Sequence, residues 1–231
     1  MIGIILVKEL RGLLRWRRIF LTVVIAAIVM IYVPNEIFTR ITGPDNIGAR
    51  YIDFYFSFYS IIAVMILAHT ANYTVFLRDK ANGTLESLLA APVHIRHVWL
   101  GKTLAVFLVG YTIAVVLSFA FVLVANHTFG PSIALVPSGY GYLSLFVLNP
   151  VICVLIIGLL GICTLLVRDY LVVRYGFFGI WFALFYFLKP AGRLIGVSVI
   201  PVQAAAILGL AILVFFALRL LTNERVVLSV E

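Results

Sequence analysis

The chain is 231 residues long, 64% hydrophobic and only 11% charged, with a mean hydropathy of +1.18. A soluble domain is roughly 45–50% apolar and about 25% charged, so this chain has too little polar surface to cover a globule in water. That balance excludes a soluble enzyme, a nucleic-acid module and a disulfide scaffold. It reads as an all-α, multi-pass membrane protein forming one unit over residues 1–231.

The net charge is +8, from 17 Lys and Arg against 9 Asp and Glu. In a membrane protein this excess is the cytoplasmic bias that fixes orientation, and it calls for no nucleic-acid partner. Residues 1–18 come first. On a helical wheel Lys8, Arg11, Arg15 and Arg18 share one face, with Leu6, Leu10 and Leu13 roughly opposite and Arg17 interrupting that stripe. The pattern suits an amphipathic helix lying in the membrane interface, with Trp16 on its flank. A plain basic flank that enforces topology is the alternative. The charges ahead of the first apolar run, with no small-x-small site after it, do not fit a cleavable signal peptide.

A helix needs about 20 mostly apolar residues to cross the hydrocarbon core. Six stretches qualify: Ile19–Ile37, Phe54–Leu77, Val98–Ala125, Leu143–Val167, Leu171–Leu188 and Val199–Leu221. The first contains Pro34 and the fifth Arg174. Their continuous apolar character is that of helices and not of barrel strands. With the N-terminus in the cytoplasm, thirteen Lys and Arg fall inside and four, Arg40, Arg50, Lys189 and Arg193, outside. The expectation is a cell-membrane protein, in the inner or plasma membrane, with both termini cytoplasmic.

At the start of the second span, the cluster Tyr51, Phe54, Tyr55, Phe56, Phe58 and Tyr59 reads as an interfacial aromatic belt at the outer side, with an exit surface for an amphipathic or lipid-like substrate as the alternative. His69 and Asn72 are the clearest polar groups at depth. Two readings of them are open: a lining of a translocation path, or hydrogen bonding between helices. Gly158 and Gly161 in the fourth span allow close helix contact, without GxxxG spacing. Cys153 and Cys163, about 15 Å apart along one helix, are beyond disulfide reach.

The loop after the second span is the most informative segment, and residues 78–97 form it. Asn82-Gly83 breaks the chain, Thr84 can cap a helix with Glu86 in its first turn, and Leu85, Leu88 and Leu89 make an apolar stripe before Pro92. A helix of about two turns is too short to stand alone, so it is expected to dock. Gly101-Lys102-Thr103 only looks like a phosphate-binding loop, since Arg96 stands where that motif needs Gly. His94 and His97 give two ligands, too few for a zinc site, and no metal is expected.

Gly83-Thr84-Leu85-Glu86, then Leu88-Leu89, Pro92 and Gly101-Lys102, together resemble the cytoplasmic loop of the permease subunits of type-two ABC exporters. The basic N-terminal helix, six spans and a short apolar connection before the last span extend the resemblance along the chain. It implies the membrane half of an ATP-driven exporter, paired with a second permease as a homodimer or pseudo-dimer and with a separate ABC ATPase subunit. ATP and Mg would then bind the partner, with no cofactor in this chain and no enzyme activity of its own. By the same resemblance Gly83, Thr84, Leu85, Glu86, Leu88, Leu89 and Pro92 form the ATPase-coupling helix, and Arg168 and Asp169 a smaller second contact. Alternatives are a haem-exporter-type subunit of cytochrome maturation, or a membrane scaffold or assembly factor that transports nothing.

Overall fold

The structure, a computed structural model, describes residues 2–14, 17–41, 47–82, 94–129, 136–167, 169, 172–173, 175–176, 179, 199–222 and 226. All regular structure among them is helical. In chain order these are α1 (Ile2–Leu14), α2 (Arg17–Ile41), α3 (Ile47–Asn72), a π-helical turn (Tyr73–Leu77) and α4 (Arg78–Ala81). Then follow α5 (Ile95–Phe129), α6 (Gly139–Leu143), a second π-helical turn (Ser144–Leu148), α7 (Asn149–Leu166) and α8 (Val199–Leu220).

Among the described residues, four helical rods are long and apolar enough to cross a membrane: Tyr51–Lys80, Ile95–Thr128, Gly139–Leu166 and Ile200–Leu220. They coincide with the second, third, fourth and sixth stretches expected from the sequence. The first expected stretch lies in α2, a helix of 25 residues in which Ile19–Ile31 is a shorter apolar segment. The fifth, Leu171–Leu188, lies almost wholly outside the described residues.

The centre of the bundle is α3. It packs against α2, α5 and α7, while α1 lies along α5 and α8 lies along α7. Between helices in lipid there is no hydrophobic drive, so close packing and hydrogen bonds must hold them. Both devices are visible. A methyl group on Gly161 would stand 2.7 Å from the ring of Phe76, so only glycine lets α7 approach that ring. Nearby, Trp99 Nε1 donates to the Gly158 carbonyl at 2.9 Å.

One expectation fails in this core for four of its six residues, Phe58 and Tyr59 being half-buried. Tyr51, Phe54, Tyr55 and Phe56 are buried, so they are not a lipid-facing belt. The Tyr55 ring stacks on Phe121 with centroids 3.9 Å apart, and its hydroxyl donates to the Met30 carbonyl at 2.8 Å. The composition of a belt and that of an aromatic core are the same. Only the neighbouring helices decide between them.

The second π turn has a local cause. Asn149 N–H donates to the Ser144 carbonyl, five residues back, which leaves the Leu145 carbonyl without its usual donor. The residue that would serve it next is Pro150, which has no N–H. The Tyr111 hydroxyl, from α5, donates to that carbonyl instead.

Candidate functional site

Of the expected coupling residues, Gly83, Thr84, Leu85, Glu86, Leu88, Leu89, Pro92 and Arg168 lie outside the described residues. Asp169 is described and exposed. What the structure describes are the stems on either side of the loop: α4, ending at Ala81 with Asn82 after it, and the start of α5 at Ile95.

Both stems meet at Lys102. This lysine, counted from the sequence as a cytoplasmic charge, is 1% exposed. Its ammonium carries three N–H donors, and all three are used. It donates to Glu9 Oε1 of α1 at 3.0 Å, to Asp79 Oδ2 of α4 at 2.5 Å and to the Val75 carbonyl in the first π turn at 2.5 Å. The Phe76 ring lies 5.8 Å from the same nitrogen. A buried ammonium without partners is prohibitively costly, and here two carboxylates enclose it. Two of the chain's nine carboxylates are committed to this one cation.

The result is a clamp. One charge on α5 holds α1 and α4 together at the point where the chain enters the loop. Next to it, Lys80 Nζ donates to the Val167 carbonyl at 2.8 Å, just past the end of α7. The loop's first stem is therefore fixed against the start of the connection that carries Arg168 and Asp169. The sequence had offered a signal for Lys102: it sits two turns inside an apolar helix, where a charge needs partners. Its partners, 93 and 23 residues away along the chain, were not legible.

His69 and Asn72 both lie on α3, half-buried and buried respectively. Asn72 Nδ2 donates to Thr164 Oγ1 of α7 at 2.7 Å, a bond between helices, while Asn72 Oδ1 has no donor among the described residues. Thr22 Oγ1 donates to Thr70 Oγ1 at 3.1 Å, joining α2 to α3. His94 and His97 are exposed, with ring centroids 6.1 Å apart. Among the described residues no three of His, Cys, Asp or Glu gather as a metal site.

A second polar cluster, missed from the sequence, lies toward the opposite end of α3. Gln203 of α8 accepts from Ser144 Oγ at 2.5 Å and donates to Asn149 Oδ1 at 2.8 Å and to the Ser57 carbonyl at 3.2 Å. Asn149 Nδ2 donates to Ser60 Oγ at 2.6 Å and to the Phe56 carbonyl at 2.8 Å. Ser57 Oγ closes the ring on Ser144 Oγ at 2.9 Å. The available signal was Gln203 itself, an amide in an otherwise apolar helix. Close by, Asp53 accepts from Ser138 N–H at 2.8 Å and from Ser138 Oγ at 2.6 Å, which fixes the turn into α6.

In both clusters the polar groups bond across from one helix to another. Each is a device for holding helices in register. No family model, curated protein or solved structure matches the chain.

Proposed function

We propose that the chain is the membrane subunit of an ATP-driven exporter of the type-two ABC class. In this reading it crosses the membrane six times with both termini in the cytoplasm, and two copies form the path. Residues 83–92 are the coupling helix seated in a separate ATPase, with Arg168 and Asp169 as the lesser contact. The motif from Gly83 to Pro92 carries the identification.

The observation that supports it most is the fixation of the loop's stem by Lys102 and Lys80. An ATPase can move spans only by pushing on something rigid, and it must bind the handle differently in its open and closed states. A loose loop would absorb the displacement. A loop whose stem is clamped to α1, α5 and the end of α7 transmits it.

Two measurements test the reading. A mild-detergent pull-down of the tagged chain from native membranes should bring a stoichiometric nucleotide-binding subunit, which Glu86→Lys should release or uncouple by reversing the contact charge. An intact complex with normal ATP-driven transport in Glu86→Lys would remove the coupling assignment. A reproducible partner that binds no nucleotide would move the reading to a scaffold. For the topology, single cysteines at Ser87 and Ser132, in a chain with Cys153 and Cys163 replaced, should label from opposite sides of the membrane. Same-side labelling breaks the six-span arrangement.

A further inference from the structure

The N-terminal helix divides cleanly into two faces. Ile2, Ile5, Leu6, Glu9, Leu10 and Leu13 turn toward the bundle, with Leu13 fully buried. The stripe of leucines expected to enter the membrane is therefore spent on protein. Its neighbour is α5: a methyl group on Gly101 would stand 3.0 Å from Ile5 Cγ2. The opposite face holds Ile4, Val7, Lys8, Arg11 and Leu14, all exposed, with Ile4 at 76% and Leu14 at 74%.

That outward face has an unusual charge arrangement. It carries two cations and no carboxylate, because Glu9, the only acid on the helix, is turned inward onto Lys102. Its ends are apolar and its middle is basic. Its level is fixed as well, since Glu9 and Ile5 meet α5 at Lys102 and Gly101, where an apolar rod meets the charged stems. Exposed aliphatic side chains at that level, flanking basic side chains whose long stems let the charge reach outward, match the boundary between acyl chains and headgroups. A neutral headgroup layer would leave Lys8 and Arg11 without counter-charge. An anionic one supplies it.

We infer that the outward face of α1 is a docking surface for anionic lipid headgroups of the adjoining leaflet, with Ile4, Val7 and Leu14 in the acyl boundary and Lys8 and Arg11 on the headgroup charge. The inference needs only that the chain spans a membrane, so it stands or falls separately from the exporter reading.

The test uses the full chain with Cys153→Ala and Cys163→Ala and a single Leu14→Cys carrying a bimane fluorophore. It is reconstituted in phosphatidylcholine vesicles containing about one fifth phosphatidylglycerol, an anionic fraction that sets up the surface potential in question. Brominated chains, which quench the probe, are placed on one lipid at a time. Each cation near an anionic surface enriches that lipid about fivefold, so quenching per mole should favour brominated phosphatidylglycerol by at least that factor. Lys8→Gln with Arg11→Gln, both at exposed positions, should bring the ratio to one. The same probe at Leu208, exposed on α8, should see both lipids equally. Equal quenching at Leu14, or a preference that survives loss of both cations, overturns the proposal. No quenching by either lipid overturns it too, since protein would then cover the face.

Discussion

The rod Tyr51–Lys80 is held toward its two ends by different means. At the Asp79 end, a single ammonium is enclosed by two carboxylates and a carbonyl. At the Ser57 end, amides and hydroxyls of Gln203, Asn149, Ser144 and Ser60 form a neutral ring. Both fix helices to one another, but they fail differently. Removing one member of an enclosed ion group leaves uncompensated charge out of water, whereas removing one member of a neutral ring leaves an unpaired dipole. The ionic end is the joint more costly to break by removing one member, and it is the end where the proposed coupling loop departs.

The largest expected effect comes from Lys102→Met, which leaves Glu9 and Asp79 facing each other across a buried site. It should cost about 3–5 kcal/mol in a denaturant-detergent unfolding titration in bilayer-mimetic discs. The sharper version adds Glu9→Gln and Asp79→Asn to the same chain. With the charge group removed as a whole, most of that loss should return, because the penalty lies in the unpaired charges and not in the missing bonds. A triple variant as unstable as the single one would show that the lysine acts by its shape and not by its charge.

A smaller effect is expected at the other end. Gln203→Leu strips the donor from Asn149 Oδ1 and the acceptor from Ser144, and side-chain hydrogen bonds inside membrane bundles are worth about 0.6 kcal/mol on average and about 1.7 at most. The same titration should therefore read roughly 1–2 kcal/mol. Should it equal the loss from Lys102→Met, the contrast between the two ends is void.

The smallest concerns the π turn. Tyr111→Phe removes the hydroxyl that serves the Leu145 carbonyl and should cost about 1 kcal/mol. In a Pro150→Ala background the new backbone N–H offers that carbonyl another donor, so the second substitution should then be nearly silent. A double-mutant cycle measures this coupling directly. Additive losses would mean that Pro150 is not what strands the carbonyl.

Much of the architecture was legible because a span is a local property of composition: twenty apolar residues read the same whatever surrounds them. Four of the six expected stretches therefore reappear as helical rods with ends shifted by a few residues. The same reasoning read Tyr51, Phe54, Tyr55 and Phe56 wrongly, since an aromatic residue at a span's end has one composition and two destinations. For Lys102 the sequence supported a count of cytoplasmic charge, and the burial of that charge depends on acids brought from α1 and α4. Gln203 and Asn149 went unnoticed because single amides carry no motif.

What the sequence alone determined is the class of the protein: an apolar chain with few charges has only helices available to satisfy its backbone in lipid. It supplied also the charge count on which the orientation is proposed, and the short motif from Gly83 to Pro92 on which the function is proposed. The tertiary structure decided which polar groups meet. That Lys102 finds Glu9 and Asp79, that Gln203 finds Asn149, and that Glu9 turns inward to leave a purely basic outer face on α1 all follow from helix rotation and register. Apolar side chains alone fix these weakly in lipid, and the buried polar bonds select one arrangement because each alternative would leave a charge or an amide without a partner.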